Sequence, residues 1–417
     1  GDREESAVIA VRRAAAEQKI AEFMEMPEVY REVNRRELLE YARAIGRGEL
    51  VETPTTKKMI SAIRAHWDRG VPVFLWGHLG AGKPELLRPV SRKYYGEEPE
   101  VFSGSEEASA HNIIGKMKLQ ARETPDEFYA RAAEALSHAK ALEGVSKNEI
   151  ADILRLVGPK IIESTFQVGP MIKAIDENKP FIFDEMDEIP REILSRFNDL
   201  LTRRVGAAID VPEDSNRSHV IRDGFKLGGT GNVKSKKYMR KDLDAAQLSR
   251  WWSTEVQYLP AEETAKLILA SLVDRHGSLQ LGETDDIESI NNLAKVAAEI
   301  QAIFAEKKKD VHGPGGDPAR NIGASLEKSV LSIRDLKNII DAWKASGFKV
   351  PSGIGISSEA RADESLNWHI YEEFIQKATV PKDRVYLVQL FCRYGFFKAW
   401  KADDFGFPEL TAKELAA

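Results

Sequence analysis

A short apolar run, Val71–Trp76, leads into Gly77-His78-Leu79-Gly80-Ala81-Gly82-Lys83, and a helix-forming pattern begins at once behind it. No other stretch of the chain limits the fold as strongly. Glycines in a strand-to-helix connection let backbone N–H groups turn inward around a small concavity that larger side chains would fill. The helix that follows aims its positive end at the same point. G-x-x-x-x-G-K between a strand and a helix is therefore the pattern of a loop that cradles phosphate, a P-loop. Gly77, His78, Leu79, Gly80, Ala81, Gly82, Lys83 and Pro84 are the candidate nucleotide contacts, with Lys83 set to bridge the β- and γ-phosphates.

The position after the lysine departs from the pattern. A Ser or Thr there gives Mg²⁺ a hydroxyl ligand, and this chain has Pro84. Proline fits a first helical turn, but it offers no oxygen and lacks an N–H. Pro89 lies further along the same segment, where proline usually kinks or ends a helix. The spacing thus predicts a helix to about Tyr95 that is either short and bent or carries substitutions.

About a hundred residues on, Phe181-Ile182-Phe183-Asp184-Glu185 reads as a buried strand that ends in two acids. Beside a phosphate cradle, Asp184 is the candidate Mg²⁺ ligand and Glu185 the candidate general base for an attacking water. The competing reading is a strand followed by an acid that caps the next helix. The P-loop upstream favours the first.

Apolar spacings of three and four mark residues 7–50, 121–163 (two or three helices), 169–178, 190–205, 261–275, 286–308 and 329–346 as helical. Strands are expected near 71–76, 100–102, 181–185, 224–232 and 254–260. Strands alternating with helices up to residue 259 predict an α/β domain on a parallel sheet, and the strand-poor remainder predicts a helical one. The segments expected are a helical arm (1–50), an α/β nucleotide-binding domain (51–259, with a helical insertion at about 121–163), a helical lid (260–350) and an aromatic-rich helical extension (351–417).

Over roughly residues 52–345 the chain resembles the AAA+ ATPases, specifically their MoxR-like, dynein-related branch. PVFLWGHLGAGK, HNIIGKMKL, FQVGPMIKAIDENKPFIFDEMDEIPREILSRFNDLLTRRVG, GFKLGGTGN and DLDAAQLSRW carry the resemblance, in that order. It implies a three-layer P-loop domain followed by a lid, ATP and Mg²⁺ as cofactors, and a homo-oligomeric ring, a hexamer by expectation. It also implies that hydrolysis remodels or matures a protein partner, a chaperone-like output. Gly77 to Lys83 match Walker A, and Asp184 and Glu185 match Walker B. Asn232 matches sensor 1, Arg334 sensor 2, and Arg250 the arginine that reaches a neighbour's phosphate; Arg203 and Arg204 compete for that last role.

Composition restricts the alternatives. The chain has 417 residues and a formal net charge of −6, so no global basic field invites nucleic acid. The local run Lys234, Lys236, Lys237, Arg240 and Lys241 reads as a solvated loop. The longest apolar run falls far short of the ~20 residues of a membrane span. The single cysteine, Cys392, rules out an intramolecular disulfide and fits a cytoplasmic setting. The start lacks a Met and is read as a trimmed or partial chain. Two other functions stay open: a hydrolysis-weak, nucleotide-dependent assembly module, motivated by Pro84, and a nucleic-acid-linked GTPase or ATPase motor, motivated by the basic run.

Overall fold

The structure, a computed structural model, describes residues 10–15, 17–18, 31–78, 84–121, 125–157, 162–202, 204–212, 214, 217–232, 249–274, 276, 279–280, 287–305, 326 and 329–416. Arg203, the basic run 234–241 and the Gly/Pro-rich segment 312–318 lie outside them.

A five-stranded parallel sheet organises the first half. Its strands are β1 (Val73–Gly77), β2 (Glu100–Ser103), β5 (Phe181–Asp184), β8 (Leu227–Asn232) and β9 (Trp252–Glu255), in the order β2-β5-β8-β1-β9. Strand side chains alternate between faces, and both faces here are apolar. Val73, Leu75 and Ile182 point to one side, where they meet Ile60, Ile63 and Trp67 of α2 (Pro54–Trp67) and Leu87 and Val90 of α3 (Pro84–Tyr95). Phe74, Phe181 and Phe183 point to the other, onto Met171, Ile172 and Ile175 of α6 (Pro170–Asp176) and onto Leu194 and Phe197. A parallel sheet buried on both faces and sandwiched by helices is the three-layer α/β arrangement expected from the sequence.

One local expectation holds and one needs correction. Helix α3 continues through Pro89 to Tyr95. Proline removes one backbone hydrogen bond, and the buried Leu87 and Val90 on either side hold the segment against the sheet. The amphipathic stretch 190–205 is not one helix but two short ones, Arg191–Ser195 and Asn198–Thr202. Between them Phe197 is buried and packs on Phe183 at a ring separation of 5.7 Å.

Residues 121–163 do contain two helices, α4 (Pro125–Leu136) and α5 (Lys147–Val157). They are borne on an antiparallel ribbon that the helical reading overlooked: β3 (Gly115–Ala121) pairs with β4 (Ile162–Val168) from Gly115↔Val168 to Ala121↔Ile162. Gly115, at φ 139°, opens the ribbon where a Cβ would lie 2.4 Å from the Gln167 carbonyl oxygen. A second ribbon, β6 (Ala208–Asp210) with β7 (Ser218–Val220), is pinned to the end of α6 by the fully buried His219. Its Nδ1 lies 2.7 Å from Asp176 Oδ1 and its Nε2 3.0 Å from Asp214 Oδ2.

The second half is helical and has one core. α7 (Ala261–Ser271), α8 (Ile287–Phe304) and α9 (Ile333–Ala345) pack with α10 (Pro381–Arg393) and with the aromatics Tyr371, Phe374, Phe391, Phe396, Trp400 and Phe405. Residues before and after 350 thus share that core, and Trp343 Nε1 donates to Ser365 Oγ across the division at 2.9 Å. From the N-terminal segment, α1 (Arg31–Gly46) joins it through Leu38 and Tyr41, with Lys266 Nζ of α7 at 3.1 Å from Glu37 Oε2. Glu263 of α7 also accepts from Thr55 N and Thr55 Oγ1 at the start of α2, which ties the helical half to the sheet half. Among the described residues no helix is long and apolar enough to cross a membrane.

Candidate functional site

In a parallel α/β sheet the carboxyl ends of the strands and the connections leaving them form the place where a ligand can approach backbone and side chains together. Three neighbouring strands here end on the same side of the sheet, with Asp184 one residue past the Phe183↔Gly229 pair and so two short of the level of Asn232. β1 ends at Gly77, β8 at Asn232 and β5 at Asp184, and Gly77 and Asn232 are paired in register. The candidates Gly77, Asp184, Glu185 and Asn232 are therefore brought to one edge of the sheet, with β8 standing between the glycine-rich connection and the acids.

The acid pair is held in a defined way. Asp184 is the last residue of β5, partly buried, whereas Glu185 is exposed and left-handed at φ 53°, ψ 49°. A non-glycine residue keeps that conformation where its surroundings impose it, and three contacts do so. Thr230 Oγ1, from β8, donates to Asp184 Oδ1 at 2.6 Å. The same oxygen accepts the Glu185 N–H at 3.1 Å. Gly104, just past β2, donates its N–H to the Asp184 carbonyl at 2.6 Å and packs so closely that a Cβ on it would lie 2.1 Å from the Glu185 carbonyl oxygen. Neither Thr230 nor Gly104 stands out in the sequence. The pattern identifies residues that touch a ligand, and these two act through backbone and carboxylate contacts between strands distant in the chain.

His78, the first residue after β1, is buried and lies beside rings from both halves of the molecule. Its ring is 6.5 Å from Tyr258, ahead of α7, and 6.1 Å from Phe304, at the end of α8. Leu79, Gly80, Ala81, Gly82 and Lys83 lie outside the described residues. Pro84 is the first residue of α3, the position that tolerates proline best.

The candidate arginines among the described residues all stand at exposed positions. Arg250 is exposed in the turn that precedes β9, at the amino end of the sheet, opposite the acids. Arg334 is exposed in the first turn of α9, a helix opened by a capping box between Ser332 and Asp335. Arg204 is exposed beyond the helix Asn198–Thr202.

The donor set fits a magnesium nucleotide. Mg²⁺ takes hard oxygen ligands, and where phosphates and water complete the shell it needs only one or two carboxylates from the protein. Among the described residues no three His, Cys, Asp or Glu side chains are grouped to hold a metal ion. Asp184, whose Oδ1 accepts from Thr230, could supply one such carboxylate.

A family model described as a third domain matches residues 260–410. Among curated proteins none matches the chain in sequence. Among the solved structures that match are the following two. One is a protein of Cytophaga hutchinsonii described as a putative ATPase, with 14% identity, 84% of each chain covered and a TM-score of 0.34. The other is Cdc6p from Pyrobaculum aerophilum, with 13% identity, 70% of this chain and 63% of that one covered, and a TM-score of 0.32.

Proposed function

We propose that this chain is an ATP hydrolase of the AAA+ type, binding ATP with Mg²⁺ on the glycine-rich connection after β1. The observation that carries the reading is the sheet order. An acid pair ends β5, the glycine-rich connection leaves β1, and the strand between them, β8, ends in an amide side chain, Asn232.

The chemistry assigned to the residues is direct water attack. Lys83 and the loop N–H groups bind the β- and γ-phosphates. Glu185 accepts a proton from a water whose oxygen forms the new bond to the γ-phosphorus. The bond from that phosphorus to the β-bridging oxygen breaks, and ADP leaves with the electron pair. Asn232 orients the water, and Asp184 would hold the cation. Mg²⁺, when bound, neutralises charge on the phosphates. Arg250 lies too far around the sheet to serve its own site, which supports a role on the nucleotide of a neighbouring copy in a ring. Arg334 would reach the nucleotide from the helical half. The mechanical output would be the remodelling or maturation of a protein partner, as the MoxR-like motifs imply, and the single cysteine fits a cytoplasmic setting.

Pro84 favours a second reading, an assembly module that binds nucleotide and hydrolyses it slowly. Glu185→Gln and Lys83→Ala separate the cases. The first should keep ATP affinity and lose turnover, and the second should lose affinity. Unchanged calorimetric affinity in Lys83→Ala refutes the phosphate-cradle assignment. Measurable binding without turnover in the unsubstituted protein supports the assembly module.

A further inference from the structure

We infer that Thr230 is a positioning residue that sets both acids of the site, an inference that rests on the ATP hydrolase reading. Thr230 is only 2% exposed and pairs with Leu75 inside the sheet. A hydroxyl has one proton to donate and lone pairs to accept with. Here the proton goes to Asp184 Oδ1 and a lone pair takes the Glu185 N–H. One side chain therefore fixes the rotation of the cation-binding carboxylate and satisfies the backbone of the general base.

Each half has a consequence. With Oδ1 engaged by a donor, the Asp184 carboxylate is held in one rotation, so its approach to a cation is directed. With no hydroxyl at Pro84, positioning of the cation falls more heavily on this carboxylate. The N–H contact, with Gly104 packed behind the Glu185 carbonyl, keeps Glu185 left-handed and its side chain outside the core. Ser can reproduce both hydrogen bonds. Val matches the shape and reproduces neither, leaving the Glu185 N–H without this partner, a loss that costs free energy.

The test compares the unsubstituted 417-residue chain with Thr230→Val and Thr230→Ser. Partners that orient metal ligands typically contribute 10–100-fold in metal affinity or activity. Thr230→Val should lower kcat by 10–100-fold and raise the Mg²⁺ concentration for half-maximal turnover by a similar factor. In calorimetry its ATP affinity without Mg²⁺ should stay within about twofold of the unsubstituted protein, while the gain in affinity on adding Mg²⁺ should shrink. Thr230→Ser should restore kcat and the Mg²⁺ requirement to within about threefold. Wild-type behaviour of Thr230→Val, equal failure of Ser and Val, or equal loss of affinity with and without Mg²⁺ would each overturn the positioning role. An unsubstituted protein that neither binds nor hydrolyses ATP overturns instead the reading on which the inference rests.

Discussion

Replacing Gly104 by alanine tests whether the acid pair is held from behind. The added Cβ would sit 2.1 Å from the Glu185 carbonyl oxygen, 3.0 Å from its carbonyl carbon and 3.0 Å from Ile189 Cγ1. Carbon and oxygen in contact normally lie near 3.4 Å, so something must move by about 1 Å, and close-packed interiors have no slack to absorb it. The closest obstacle is backbone, not the end of a flexible side chain. Gly104 N is also bonded to the Asp184 carbonyl, so the shift passes directly into Asp184 and Glu185. Overpacking of this kind costs about 1–3 kcal/mol in stability, and a displacement of about 1 Å in a catalytic group costs on the order of 10²-fold in rate. Denaturant unfolding gives the first quantity and kcat at saturating ATP the second. Gly355→Ala is the internal control, because a Cβ there meets nothing within 4 Å and its backbone is not left-handed. A Gly104→Ala protein with the unfolding midpoint and kcat of the unsubstituted chain would show that the contact does not position the acids.

Three further outcomes are expected. Pro84→Thr adds a hydroxyl ligand and an N–H donor at the phosphate loop, so kcat should rise, by up to about 10²-fold, with a lower Mg²⁺ requirement; equal Mg²⁺ titrations for the two proteins refute this. Arg250→Ala should impair turnover and keep ATP binding, and mixing it with Glu185→Gln should restore part of the rate, because some interfaces then combine an intact base with an intact arginine. No recovery in verified mixed rings argues that Arg250 acts within its own chain or only packs. Burial lowers the pKa of His369, against the opposing hydrogen bond to the Lys349 carbonyl and the charge of Glu373. The unfolded chain therefore binds that proton more readily. The stability contributed is complete above the unfolded pKa near 6.5 and is lost as pH falls from there towards the folded value. Unfolding midpoints measured from pH 7.5 to pH 5 should show less acid destabilisation in His369→Gln than in the unsubstituted protein, and parallel curves refute the assignment.

The sequence made legible what is local and periodic. The strand Val73–Gly77, the strand Phe181–Asp184 with its two acids, and the helices of the second half each declare themselves through alternation or three-to-four spacing. What stayed hidden depends on pairing between distant segments. The ribbon β3–β4 shows little as either strand alone, and the helices α4 and α5 it carries dominate the pattern. Thr230 and Gly104 look like ordinary residues of short strands until the sheet sets them against Asp184 and Glu185. Pro89 signals a break in isolation, yet packing of Leu87 and Val90 outweighs one missing hydrogen bond. The aromatic tail reads as a separate extension because hydrophobic density does not reveal which core it joins, and here it completes that of α7, α8 and α9.

The central claim is that ATP is hydrolysed at a site completed by a neighbouring copy. Turnover per chain measured across a range of protein concentrations, with oligomer mass determined on the same samples, tests it most directly. The account predicts ATP turnover that rises with assembly and levels off when the ring is fully formed. Turnover per chain that is constant while the protein passes from monomer to oligomer contradicts it.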